Sequence, residues 1–443
     1  MCSLTGRQVR PAPCLSMSFQ ARSWELSWAY LTWRFCFAAS IKALRTEPTS
    51  RRLQAVASTL PSLGNEVVIV AGGTYVEECT APRSAVLLGS GGRAAMALQG
   101  LEPIEFHTFF PESDEIRANF GGDAIAHHSE IAITFRYLHP LARPQVSFIP
   151  RQPTPTVRVI GDRVLRFGCI EGEFAVEADD AVYDPQGSGA LFRANGSHAQ
   201  RLAVVLNEDE ARQFRGSDDL TVAATGVMTR EDAEIVIIKR GPAGALLFRR
   251  EISTVEIIPA FRTNIVFKIG SGDVFSAMFA HYWSTCGLDA ARAAEFASRQ
   301  TADYVQTRIL PRPAEPPRLE QVAGAPAILR ILLSADIDTT PALWLAEEAR
   351  AALLRLGVYE VRVPAVFQDP VPEEMVVACD AVLVLPRTGM GVAARTAASA
   401  QNAGKPCVAF AETVEISKAL AEIGAIVVGD FAASVYSVIW SAS

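Results

Sequence analysis

Paired cysteines, basic blocks and long apolar runs are all missing from this sequence. The eight cysteines are Cys2, Cys14, Cys36, Cys79, Cys169, Cys286, Cys379 and Cys407, and none forms a C-x-x-C pair. Their wide spacing argues against a disulfide framework and against a zinc site, and isolated thiols in a reducing cytosol are expected. No apolar run reaches the roughly 20 residues of a membrane-spanning helix. Lys and Arg number 41 against 48 Asp and Glu, a net charge of −7 with no basic tract, so nucleic acid is not an expected partner. The 30 Gly and 26 Pro follow no period. With 49% hydrophobic and 20% charged residues, the chain is neither collagen-like nor disordered. At 443 residues it exceeds one typical core, so two domains are expected, with room for a third.

Composition then divides the chain. Trp24, Trp28 and Trp33 and three of the eight cysteines precede residue 40. Glu25 and Arg34 interrupt this aromatic stretch and no small-residue cleavage site follows it, so it reads poorly as a signal peptide. A transit peptide, an amphipathic arm and a partner-binding helix are all compatible. We take residues 1–64 as an extension outside the fold. Residues 66–71, 157–160, 202–206 and 235–238 are β-branched runs that read as buried strands, alternating with helical patterns over 273–282 and 288–308. Pro311, Pro313, Pro316 and Pro317 mark a linker, assigned to 313–326. Beyond it, strands are expected at 328–333, 359–363, 381–385, 406–410 and 425–428, with a helix at 341–356. Alternating strands and helices give parallel sheets covered on both faces.

Chemistry concentrates at Gly270-Ser271-Gly272-Asp273, where two glycines open a helix whose apolar face carries Phe275, Met278, Phe279 and Tyr282. A helix N-terminus suits a transferred phosphate, and an Asp there can accept a proton from a substrate hydroxyl. A plain turn with Asp273 as helix cap is the competing reading. Glu210 in Asn207-Glu208-Asp209-Glu210 suits a hydrated magnesium or, equally, an ordinary helix start. Gly241 and Gly244 suit either a nucleotide passing over the chain or a common turn.

Taken together these segments resemble the ribokinase-like (PfkB) sugar-kinase family over about residues 66–312. Gly270–Asp273 is similar to the family's G-A-G-D loop, and Gly91-Gly92-Arg93 to its early glycine-pair substrate motif. Asn207–Glu210 resembles its N-x-x-E motif, and Lys239–Ala245 its strand-turn segment beside the nucleotide. Glu77 stands where the family has an Asp that binds substrate hydroxyls. The resemblance implies an α/β fold: a ribokinase-like three-layer α/β/α domain (65–312) with a small β lid. It also implies ATP and Mg2+ as cofactors and a sugar or nucleoside as acceptor. Asp273 would be the base, with Gly270, Ser271 and Gly272 cradling the transferred group. Glu77, Gly91, Gly92 and Arg93 would hold substrate. Asn207, Lys239, Gly241 and Gly244 would line the nucleotide, and Glu210 would hold Mg2+ through water. Residues 132–137 with 145–149 suggest the lid, through which many relatives form homodimers.

Three departures are visible. Phe267-Lys268 replaces Asp-Thr before the loop, Met96 replaces an Asn, and Tyr183-Asp184-Pro185-Gln186-Gly187 replaces D-x-N. Catalysis is expected to survive with an altered substrate choice and without the usual monovalent-cation site. The alternative is a non-catalytic ligand sensor or scaffold on a degenerate sugar-kinase fold.

Residues 327–443 resemble nucleoside 2-deoxyribosyltransferases, which are smaller Rossmann-like (flavodoxin-like) α/β proteins, at Cys379–Leu385, Gly389–Gly391 and Ala400–Pro406. Thr396 stands at the position of that family's nucleophilic Glu, and no carboxylate lies between Gly391 and Lys405. Glycosyl transfer needs such a nucleophile, so this domain is expected to bind a nucleoside or nucleotide, or to mediate assembly, without turnover. Arg395 is a candidate phosphate contact there. His127 and His128 are adjacent and should point apart, His281 should pack, and Trp344 should lie in the core.

Overall fold

Strand β1 (Val68–Ala71) is buried along its whole length, because both faces of its sheet are covered. A computed structural model describes residues 67–148, 155–187, 189–324, 328–364, 369–388 and 391–442. The segment 1–64 taken as an extension lies outside the described residues. After β1 come β2 (Val76–Cys79), β3 (Ser84–Leu87), α1 (Gly89–Leu98), β4 (Ile104–Phe110), α2 (Ser113–Phe120) and β5 (Ala124–His128). They are followed by β6 (Thr134–Tyr137), β7 (Gln145–Val146), β8 (Thr156–Phe167), β9 (Glu173–Asp184), β10 (His198–Asn207), α3 (Glu208–Arg215) and α4 (Leu220–Glu231). β11 (Ile235–Lys239), β12 (Ala245–Arg249), β13 (Ile252–Ile258), α5 (Ser271–Ala280) and α6 (Ala290–Thr307) complete this part.

Nine strands form one sheet in the order β13-β12-β11-β10-β9-β8-β1-β4-β5. It is parallel from β5 to β11 and antiparallel at the β12–β13 edge. Helices α1, α5 and α6 pack on one face and α3 and α4 on the other, giving the expected three α/β/α layers. A separate four-stranded sheet, β3-β2-β6-β7, is the small lid. Only β6 and β7 fall in the segments expected for it, and Ile149 lies outside the described residues. β2 and β3 were missed because four residues such as Val76–Cys79 are too short for a periodic signal. β9 was missed because its twelve residues mix acids with apolar positions.

The second sheet uses β14 (Arg330–Ala335), α7 (Thr340–Arg355), β15 (Glu360–Arg362), α8 (Glu373–Val377), β16 (Ala381–Leu385) and α9 (Val392–Asn402). β17 (Cys407–Phe410), α10 (Val414–Glu422), β18 (Ile426–Val428) and α11 (Phe431–Ser441) follow. Its all-parallel order β15-β14-β16-β17-β18 is the flavodoxin-like one. α7 and α11 cover one face and α8, α9 and α10 the other.

The described residues form one compact unit. The segment read as a linker has no helix or strand over 313–320, yet it is tied down. Phe261 pairs with Gln321 across an isolated bridge, and Val322 donates to the Ala260 carbonyl at 2.9 Å. Trp344 corrects its assignment to the core: it is 70% exposed on α7. Among the described residues no helix is long and apolar enough to cross a membrane, and Cys79, Cys169, Cys286, Cys379 and Cys407 are free thiols.

Candidate active site

Helix α1 meets β1 so closely that side chains are excluded. A Cβ on Gly91 would stand 2.5 Å from the Gly72 carbonyl, which explains the glycine pairs at 72–73 and 91–92 as packing devices. This contact delivers Arg93 into the interior, 1% exposed, beneath the loop that opens α5. Its Nη1 donates to Asp273 Oδ2 at 2.9 Å and to Glu77 Oε1 at 3.1 Å, Nη2 pairs with Glu77 Oε2, and Nε donates to Tyr304 OH at 2.9 Å. Arg93 and Glu77 were expected on substrate. In the structure the guanidinium bonds the Asp273 carboxyl and both Glu77 oxygens.

Gly270 caps α5 with φ of +76°, a left-handed conformation suited to glycine. A Cβ there would also collide with the Arg93 guanidinium. Gly270→Ala should therefore lose about 1–2 kcal/mol from backbone strain alone, with a further loss from displacing Arg93. Urea denaturation tests this, and wild-type stability would refute the close approach.

One expectation for the loop is corrected. Ser271 N–H is spent on the Lys268 carbonyl at 3.0 Å, so it cannot cradle a phosphoryl group. The first turn leaves the N–H groups of Gly272 and Asp273 without intrahelical partners. Lys239 Nζ lies beside them, 3.2 Å from where a Cβ on Gly272 would be.

The site also contains two residues that were set aside in sequence. Gln186 Nε2 donates to Asp273 Oδ1 at 3.0 Å and to Asp184 Oδ1 at 3.1 Å. Asp184, fully buried, accepts from Lys239 Nζ at 2.6 Å and from Ser276 Oγ at 2.7 Å. The signal was present: Asp184-Pro185-Gln186 is D-x-N with its amide one methylene longer. Tyr304 had no sequence signal, since its partner lies 211 residues away. Burial raises Asp273 to a pKa of about 6; Arg93 opposes this, Glu77 and Asp184 reinforce it, and Lys239 opposes it. The carboxyl is thus set close to neutrality, where a general base works.

Asn207 and Glu210 form a complete capping box at the start of α3. Asn207 Oδ1 accepts from Glu210 N–H at 2.9 Å, and Glu210 Oε2 accepts from Asn207 N–H at 2.8 Å. Glu210 Oε1 accepts from Gly187 N–H at 2.8 Å, joining it to the Asp184–Gln186 turn. Its pKa is raised first by burial and then by Asp184. Each Glu210 oxygen keeps a second lone pair, so Glu210 fits a magnesium held mainly by water and phosphates, whereas each Asp184 oxygen already accepts two bonds. Among the described residues no group of three or more His, Cys, Asp or Glu could hold a metal directly. Gly241 and Gly244 close a short turn after β11, with Gly244 N–H donating to the Gly241 carbonyl at 3.1 Å.

His107 Nδ1 lies 3.1 Å from His127 Nε2, across β4 and β5. His281 is buried as expected. In the second sheet, Thr396 is 1% exposed and bonded internally to Val392 O and Ser334 Oγ. A cavity of about 320 Å³ lies at the carboxyl ends of β14 and β16, lined by Asp336, Arg387 and Arg395 among others. Asp336 is a carboxylate in that cavity that sequence reading missed. It accepts N–H bonds from Ala393 at 3.0 Å and Arg387 at 2.8 Å, and so acts as the cap of α9. Arg395 is paired with Asp369.

One family model matches part of the chain. Residues 173–308, about a third of it, match the family model described as "pfkB family carbohydrate kinase". No curated protein matches. Solved structures similar to the chain include a fructokinase double mutant from Vibrio cholerae O395 with fructose, ADP and potassium bound. That structure has 12% identity and a TM-score of 0.42, covering 56% of this chain and 94% of that one. Ribokinase from Arabidopsis thaliana complexed with ribose and ATP gives 15% identity and a TM-score of 0.40, over 56% and 96%. Ribokinase from Thermotoga maritima gives 17% and 0.39, over 54% and 93%.

Proposed function

We propose that the chain is an ATP-dependent kinase that transfers the γ-phosphate to a hydroxyl of a sugar or nucleoside. The carrying observation is Asp273: a buried carboxyl of pKa about 6 in the first turn of α5, with free helix N–H groups and Lys239 beside it. The match at 173–308 supports the carbohydrate-kinase class and includes Asp184, Lys239 and Asp273.

In this reading Asp273 takes the proton from the acceptor hydroxyl as the phosphoryl group transfers in line. The Gly272 and Asp273 N–H groups and Lys239 meet the charge on the transferred phosphate. Gln186 and Arg93 fix the carboxylate in place. Glu210 would face magnesium, whose contribution is neutralisation of the donor phosphates. An ATP-consumption screen against sugars and nucleosides, run beside Asp273→Asn, tests the assignment. Consumption that is acceptor-dependent and lost in the variant is expected; turnover unaffected by the substitution would overturn it.

One observation favours a second reading, a non-catalytic sensor. Both Asp273 oxygens and both Glu77 oxygens are already engaged within the protein. No turnover on a broad panel, with clear ligand-induced thermal shifts, would select it.

For the second sheet unit we propose binding without glycosyl transfer. Thr396 is hydrogen-bonded into the core, and Asp336 accepts three backbone N–H bonds that quench its nucleophilicity. The full-length chain is expected to show no base exchange or nucleoside hydrolysis by chromatography. Detectable exchange that is lost in Asp336→Asn would refute this.

A further inference from the structure

Helix α5 does not end in an ordinary turn. His281–Thr285 form a single π-helical turn, and Cys286 N–H donates to the His281 carbonyl at 2.9 Å. The i to i+5 bond of such a turn sets Cys286 beside His281. The imidazole Nε2 lies 3.5 Å from Cys286 Sγ. On the other side of the ring, Nδ1 lies 3.5 Å from Glu102 Oε2. Glu102 arrives from the segment between α1 and β4, so thiol, imidazole and carboxylate form a row drawn from two parts of the chain.

The state of Glu102 gives this row its chemistry. Its side chain is 2% exposed and that of His281 5%. Neither Glu102 oxygen has a hydrogen-bond partner among the described residues, and neither has His281 Nδ1. A buried carboxylate without donors is costly and needs a cation beside it, and His281 is the group within reach. Burial alone would lower the pKa of His281, but its contacts with Cys286 and Glu102 raise it to about 9. The ring is then an imidazolium at neutral pH and presents a charged donor to the sulfur, a setting that favours the thiolate. Tyr282, packed on the His281 ring at 5.1 Å between centroids, meets Arg312 and Glu315, and Arg312 is itself paired with Asp303 of α6. Cys286 is half-buried. The other described cysteines are poor competitors, since burial pushes up the thiols of Cys79, Cys169, Cys379 and Cys407.

We propose that Cys286 is a modification site: a thiol ionised by His281, with Glu102 as positioning residue, that exchanges with low-molecular-weight disulfides. The Cys286 sulfur attacks one sulfur of the disulfide, the S–S bond breaks, and a mixed disulfide forms on Cys286. The Cys286 proton, held on His281, leaves with the released thiol. Cys286 is oxidised as the disulfide is reduced, so no other reactant is needed. The thiol lies at the far end of the helical run that opens at Ser271, away from Asp273.

Incubation of the full chain with glutathione disulfide, followed by peptide mass spectrometry of every cysteine, tests it. At pH 6.5 Cys286 should be converted about tenfold faster than the same cysteine in the urea-unfolded chain, where an ordinary thiol is only about 1% thiolate. The advantage should disappear by about pH 9. His281→Gln and Glu102→Gln should each slow Cys286 about tenfold at pH 6.5 and leave its rate near wild type at pH 9, a pattern that altered packing would not produce. A Cys286 no faster than its unfolded counterpart at pH 6.5, or a fast one indifferent to both substitutions, would overturn the proposal. The first comparison uses the wild-type chain alone, so it decides even if a variant fails to fold.

Discussion

Asp273→Asn is expected to lower phosphoryl transfer about 10²- to 10⁴-fold, the usual scale for removing a general base, while leaving ATP affinity within a few-fold. The amide is isosteric and its oxygen can still accept from Arg93, while its NH2 faces Gln186, whose side-chain amide must turn; the backbone of the loop should keep its shape. What disappears is the proton acceptor. The wild-type rate should fall on the acid side of about pH 6, where Asp273 becomes protonated, and this limb should vanish in the variant. Stability should move the other way. A folded-state pKa above the unfolded one favours folding at low pH, and the benefit is lost as pH rises through about 6. The wild-type protein therefore gives up stability between about pH 4 and 6 to keep an ionisable base in a buried place, and the variant should not. An unchanged acid limb in Asp273→Asn would show that another group titrates.

The local parts of this site were legible in sequence because they are contiguous. Gly270–Asp273, Asn207–Glu210 and Gly91–Arg93 each sit on one turn, where backbone geometry and residue type carry the signal together. What joins them was not legible. Arg93 meets Asp273 and Tyr304 only because Gly91 lets α1 descend onto β1, and Glu77 joins them from a four-residue lid strand without periodicity. Tertiary contact also overrode the simplest role for each residue. Arg93 and Glu77 read as substrate ligands from position, yet buried opposite charges brought within reach pair with each other first. The sheets were readable from their β-branched runs. β9 was not, since its exposed acids break the run that its buried half would otherwise make. Trp344 shows the reverse error, because an aromatic on a helix is not thereby on its inner face.

Arg93→Met should be the most destabilising single change in the site, at about 3–5 kcal/mol, because it leaves a buried pair half dismantled. Methionine fills much of the volume, so the loss is mainly electrostatic. Glu77 loses a partner for each oxygen, Asp273 loses one, and Tyr304 OH loses its donor. The deficit should depend on pH in a set direction. Arg93 lowers the pKa of Asp273 in the wild-type protein, so its removal lets that pKa climb further above the unfolded value. Stability present at low pH is then lost more steeply as pH rises, and the gap between variant and wild type should widen from pH 5.5 to pH 8. The acid limb of any remaining activity should shift to higher pH for the same reason. Adding Glu77→Gln to Arg93→Met should recover part of the loss, since the second change removes a carboxylate that the first stranded. Urea denaturation at the two pH values measures all of this. A loss below about 1 kcal/mol with parallel pH profiles would mean that water, and not the guanidinium, balances these two carboxylates.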